Sequence, residues 1–146
     1  ASGWSASSGV ISNSQNLKPA RSGGWKAWLD GYGQAHTDTL YQQVTPPADA
    51  CSATLKFWLR IDTVDTGATP NDTLTFTVRN TAGTILGTPL PVYSNRDRTG
   101  GLYVERNVDL SAYIGQTIRL QFTGVENASR ATSFLIDDAE LSAIVP

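Results

Sequence analysis

Strict two-residue alternation is the feature that most constrains this chain. In "ATLKFWLRID", Ala53, Leu55, Phe57, Leu59 and Ile61 fall on one side, and Thr54, Lys56, Trp58 and Arg60 on the other. Only an extended strand sends successive side chains to opposite faces. "DTLTFTVR" repeats the pattern, with Leu74, Phe76 and Val78 against Thr73, Thr75, Thr77 and Arg79. "TIRLQFTG" does so again, with Ile118, Leu120 and Phe122 against Arg119, Gln121 and Thr123. In "TLYQQV", Leu40 and Val44 are expected inside, which leaves Tyr41 and Gln43 outside. Turn-forming clusters such as "TPPADA", "TGATPND", "NTAG", "NRDRTGG" and "YIGQ" separate the runs. No stretch of a dozen residues carries the 3.6-residue period of a helix. The pattern predicts an all-β chain: a two-sheet antiparallel β-sandwich of the jelly-roll kind, one domain over residues 1–146.

Composition excludes several functions. A chain of 146 residues can bury one real core. A net charge of −2, with only 16% of residues charged, offers no basic surface for nucleic acid. No run approaches the ~20 apolar residues of a membrane helix, so neither nucleic acid nor membrane is an expected partner. The start "ASGWSASSGV" lacks the basic and apolar regions of a signal peptide, so if the protein is secreted a mature or excised piece is expected. Abundant Thr, Ser, Gly and Asn, scarce Lys and absent Met point to a secreted, extracellular protein, and a monomer is expected. The single cysteine, Cys51, can form no internal disulfide, so stability must come from packing or bound ions. Cys51 itself reads as a small buried hydrophobe.

The acids follow from the strand pattern. Strands running alternately up and down would gather Asp30, His36, Asp38, Asp62, Asp65, Asp72 and Glu126 at one end of the sandwich. Crowded carboxylates repel unless a cation or protons compensate them. One reading is therefore a divalent site, and calcium suits it because calcium takes six to eight oxygens. Zinc wants His or Cys, and one His with one distant Cys is a poor set. The other readings are turn-forming aspartates splayed in water, or a carboxylate pair of the glycosidase type. His36 is expected to hydrogen-bond Asp38 or a loop carbonyl.

The outward positions raise a second possibility. Trp58 sits between Lys56 and Arg60 on a solvent-facing row, and Tyr41, Gln43, Arg119 and Gln121 are expected to share that face. Thr75, Thr77 and Arg79 are the alternative neighbours. A sugar ring stacks on such an aromatic while Arg and Gln bond its hydroxyls. Alternatively, the N-terminal segment or a loop covers Trp58 and Arg60 stacks on it. Trp28 and Tyr32, with Trp25, form a second aromatic set near the acidic end; either Trp25 or Trp28 is expected in the core. Trp4 is expected to seal the bottom of the sandwich. There is no GxSxG, HExxH or CxxC pattern and no phosphate-cradling glycine loop, so a non-catalytic role is expected.

The succession "DTLYQQV", "ATLKFWLRIDT", "NDTLTFTVRN", "VDLSAYIGQTIRLQFTGVEN" and "TSFLIDDAEL" resembles a jelly-roll accessory domain of secreted bacterial hydrolases. Such domains are similar in plan to MAM domains and to galactose-binding-like carbohydrate-binding modules. The resemblance implies a structural calcium site using the backbone near Arg21 to Trp25 and Asp137 or Asp138. The same "DD" pair also reads as a β-bulge, because Phe134 and Ile136 are out of phase with Ala139 and Leu141. With the exposed aromatics, the resemblance implies a binding module that holds a parent hydrolase, in the same chain, on a polysaccharide or other extracellular polymer. A protein-interaction or structural domain of a secreted peptidase is the alternative. The residues expected to touch ligand are Trp58, Tyr41, Arg60, Gln43, Arg119, Gln121, Trp28 and Tyr32.

Overall fold

Eleven strands account for the fold in the computed structural model, which describes residues 3–15 and 18–146. They are β1 (Ser5–Ala6), β2 (Ile11–Ser12), β3 (Lys26–Asp30), β4 (His36–Val44), β5 (Ser52–Thr63) and β6 (Thr73–Arg79). Then come β7 (Ile85–Gly87), β8 (Tyr93–Ser94), β9 (Val104–Asp109), β10 (Ile118–Glu126) and β11 (Thr132–Ile144). One sheet has the order β1-β4-β10-β6-β7, with β8 beside β6; the other is β2-β3-β11-β5-β9. Every pairing is antiparallel. The chain is an all-β sandwich, as its alternation predicts.

The inward rows make the core. Ala53, Leu55, Phe57, Leu59 and Ile61 of β5 face Leu74, Phe76 and Val78 of β6 and Ile118, Leu120 and Phe122 of β10, all buried. Phe122 is the hub: its ring centroid lies 5.0 Å from Phe57 and 4.9 Å from Phe76. Register shifts between Asp137 and Glu140, and Asp138 takes a left-handed φ of 50°. The doubled aspartate is therefore a bulge, and it turns Ala139 out to solvent.

From β3 to β6 each strand crosses to the other sheet, and the structure corrects three expectations. Because β4 and β10 lie in one sheet and β5 in the other, Trp58 does not share a face with Tyr41, Gln43, Arg119 and Gln121. Those four stand instead beside Thr75, Thr77 and Arg79, since Arg119 pairs with both Gln43 and Arg79, and Gln121 with both Tyr41 and Thr77. Neither Trp25 nor Trp28 is core: Ala27 and Leu29 take the inward positions of β3, Trp28 is half-buried on the outer face and Trp25 is exposed. Trp4 packs on Phe122 with centroids 6.5 Å apart, beside the edge strand β1 rather than beneath the sandwich.

Cys51 is exposed, not buried. It precedes β5, outside the alternating row, and its thiol donates to the Ile144 carbonyl at 3.3 Å. One thiol equivalent is expected to react with a disulfide reagent in the native protein, without denaturant; a requirement for unfolding would contradict this placement.

Candidate functional site

Sheet switching brings the loops 31–35, 64–72 and 127–131 to one end of the sandwich. Asp30, Asp38, Asp72 and Glu126 meet there, each no more than 4% exposed. Three of them are well supplied with donors. Glu126 accepts the backbone N–H of Tyr32 (3.0 Å), Gly33 (3.1 Å) and Thr132 (3.1 Å). Asp72 accepts the Thr132 hydroxyl at 2.6 Å and the Asn127 N–H at 2.8 Å. Asp38 accepts the Asp30 N–H at 2.9 Å, and its other oxygen lies 2.8 Å from His36 Nε2. The expected bond between His36 and Asp38 is present.

Asp30 is different. Neither of its carboxylate oxygens has a hydrogen-bond partner among the described residues. Burial, and then the charges of Asp38, Glu126 and Asp72, push its carboxyl up to about 8. At neutral pH it keeps a proton unless a cation takes that place. An oxygen of Asp30, a ring nitrogen of His36 and an oxygen of Asp38 lie within 4.8 Å of one another, a group that could hold a metal ion.

The other expected acids are engaged elsewhere. Asp62 alternates outward with Arg60, accepts from Arg60 Nε at 2.9 Å and pairs with Lys18 Nζ at 2.8 Å. Burial raises its carboxyl, but these two hydrogen bonds outweigh burial and hold it below the usual range. Asp65 closes its own turn, accepting from Gly67 N at 3.1 Å and Asn71 Nδ2 at 2.9 Å. Asp137 sits far from this end, paired with Trp58. Its Oδ2 accepts the N–H groups of Arg21 (2.8 Å) and Ser22 (3.2 Å), while Asp138 takes the Arg21 guanidinium at 2.8 Å. A guanidinium and inward-pointing N–H groups already fill the place where the resemblance implies calcium, so these residues do not fit an ion.

The residues around Arg21 also settle the position of Trp58. Segment 18–22 crosses the outer face of the second sheet as a strap, held by Lys18 to Asp62, by Tyr103 donating to the Pro19 carbonyl at 2.9 Å, and by Ser22 to Asp138. Arg21 stacks on the Trp58 ring at 3.6 Å, and Leu135, on the same outer face and paired with Arg60, is wholly buried although it points away from the core. Trp58 is covered by the N-terminal segment, with Arg21 rather than Arg60 upon it.

Beside the strap lies an open cleft of ≈ 590 Å³. Trp28 lines it, its indole Nε1 donating to Ser133 Oγ at 3.0 Å, together with Lys18, Arg60, Asp62 and Arg98. On the opposite outer face, Arg119 stacks over Tyr41 at 4.5 Å and Arg79 donates to Thr77 Oγ1 at 2.9 Å. Tyr32 is exposed and its ring leans on His36 at 4.0 Å. The residues expected to touch ligand therefore fall in four places: Trp58 under Arg21, Trp28 and Arg60 in the cleft, Tyr41, Gln43, Arg119 and Gln121 on the far sheet, and Tyr32 at the acidic end.

Sequence reasoning offered cover of Trp58 by the N-terminal segment as one alternative but missed Arg21 as the stacking residue, and it missed Arg98 and Gly124. Only Gly124 left a signal: a lone glycine inside a strand marks close approach of another group. A β-carbon there would stand 2.6 Å from Asp30 Oδ2.

The fold matches solved structures over nearly its whole length. It is similar to a family 61 carbohydrate-binding module solved in complex with β-1,4-galactotriose, with TM-score 0.63, 16% identity, and 97% of this chain and 89% of that one covered. It is similar to the CBM22-1 xylan-binding domain from Paenibacillus barcinonensis Xyn10C, with TM-score 0.57, 18% identity, and coverage of 99% and 87%. It also matches the cleaved adhesin domain of Lys-gingipain from Porphyromonas gingivalis, with TM-score 0.65, 13% identity, and coverage of 98% and 92%. No family model matches the chain, and no curated protein matches it in sequence.

Proposed function

We propose that this chain is a non-catalytic module that binds a polysaccharide outside the cell and holds an attached secreted hydrolase on its polymeric substrate. The observation that carries the reading is the cleft at Trp28. It is concave, one indole is fixed in its wall by Ser133, and charged donors and acceptors stand around it. Those are the parts a saccharide needs: an aromatic face for C–H groups and polar atoms for hydroxyls. The likeness to modules solved as galactose-oligomer and xylan binders supports the ligand class. Tethering raises the local concentration of the attached enzyme on the polymer without any chemistry in the module. The oxygen-rich end of the sandwich supports calcium as the structural ion of such a module.

Native gels containing soluble galactan, xylan or other plant and bacterial polysaccharides test this. At least one polymer is expected to retard the wild-type chain, and Trp28→Ala is expected to run unretarded, while Tyr41→Ala on the far sheet stays retarded. Retardation lost in Tyr41→Ala but kept in Trp28→Ala would move the site to that sheet. No retardation by any polymer would favour the protein-interaction reading, to which the likeness to an adhesin domain of a peptidase points.

A further inference from the structure

We propose that the end of the sandwich is a single divalent-cation site in which Asp30 and Asp38 are the protein ligands, His36 positions Asp38, and calcium is the ion. The proposal deepens the calcium assignment above, at residues distinct from the Asp137 and Asp138 pair, and does not depend on glycan binding.

Three observations converge on Asp30. The residue is 4% exposed, and both carboxylate oxygens lack a hydrogen-bond partner among the described residues. A buried carboxylate without donors is among the least tolerated groups in a protein interior, so it must be satisfied by a proton or by a cation absent from the chain itself. The backbone aims it: Asp30 takes a left-handed φ of 62°, which costs an aspartate little but is uncommon in a strand. The opposite sheet makes room for it. Gly124, paired with Asp38 on one side and Leu74 on the other, has no side chain where a β-carbon would collide with Asp30 Oδ2.

The surroundings offer Asp30 neither a hydrogen-bond donor nor a basic side chain among the described residues. The N–H and hydroxyl donors of this end go to Glu126 and Asp72, not to Asp30. Among the described residues no Lys or Arg pairs with any of Asp30, Asp38, Asp72 or Glu126. The ion class follows from the atoms on offer. His36 Nε2 is already bonded to Asp38 at 2.8 Å, the arrangement of an outer partner that orients a ligating carboxylate. That leaves oxygens, which select hard cations; calcium tolerates the loose geometry of a site drawn from separate strands, whereas magnesium demands a near-ideal octahedron. The ion would lie between Asp30, at the start of loop 31–35, and Asp38 in β4, so occupancy would tie that loop to the sheet.

Titration calorimetry and thermal unfolding of chelator-treated full chain, with CaCl₂, MgCl₂ and ZnCl₂ and no glycan present, decide it. Calcium is expected to bind one per chain and to raise Tm by roughly 5–10 °C at a hundredfold excess over Kd. Asp30→Asn is expected to abolish that response while melting in chelator no lower than wild type, because it removes one buried charge and keeps the shape. His36→Gln is expected to weaken calcium binding about tenfold or more. No response to any ion would overturn the site and leave Asp30 as a buried protonated acid. A calcium response surviving in Asp30→Asn would place the ion elsewhere, and zinc binding lost in His36→Gln would make His36 a ligand and the ion class wrong. Calcium binding without glycan retardation would overturn the proposed function and leave this site standing.

Discussion

Replacing Phe122 by alanine is expected to destabilise the chain by about 3–5 kcal/mol, enough to lower Tm by roughly 10 °C or more. The ring is wholly buried at the centre of β10. It meets Phe57 from the facing sheet edge-on at 77° and Phe76 at 56°, and Trp4 closes over it from the side. Both sheets therefore lose contact through one deletion, and the rigid strands on each side leave little freedom for the hole to collapse. Phe122→Leu keeps most of the volume and is expected to cost less than half as much. Urea unfolding of both variants measures this; a loss under about 1 kcal/mol for the alanine variant would mean the core is not centred here.

The second large effect lies at the acidic end. Glu126→Ala is expected to cost about 2–4 kcal/mol, because the N–H groups of Tyr32, Gly33 and Thr132 lose their acceptor together. Two of the three can reach water once loop 31–35 loosens, but Thr132 is wholly buried and cannot. Removing a carboxylate also relieves repulsion on Asp30, which offsets part of the loss. Three orphaned donors against one relieved charge still leave a net destabilisation. Glu126→Gln retains one carbonyl oxygen and is expected to fall between the two. Equal stability of all three proteins in urea would show that Glu126 does not tie the loop to β10.

These effects separate what the sequence carries from what only packing decides. The alternation in β5, β6 and β10 is a local property, and it placed every inward residue of those strands correctly. The up-and-down course of the strands was also enough to bring Asp30, His36, Asp38, Asp72 and Glu126 to one end. Membership of a sheet is not local: nothing near Trp58 shows that β5 lies across the core from β4 and β10, so Tyr41 was placed on the wrong side of the molecule from it. The cover on Trp58 comes from Arg21, far along the chain, in a segment with no periodicity to read. Asp62 had the spacing of a rim acid, yet strand alternation turns it outward to Arg60 and Lys18. Cys51 stands just before its strand begins, where the alternating rule no longer assigns a face.

The most direct test of the binding reading is an amide and indole correlation spectrum of the chain titrated with the oligosaccharide of whichever polymer retards it in gels. The Trp28 Nε1–H, held by Ser133 Oγ in the cleft wall, is expected to shift with saturation, together with the amides of Gly31, Arg60 and Gly100. Shifts confined to Tyr41, Gln121 and their neighbours on the opposite sheet, or no shift at saturating sugar, would contradict the cleft as the site of binding.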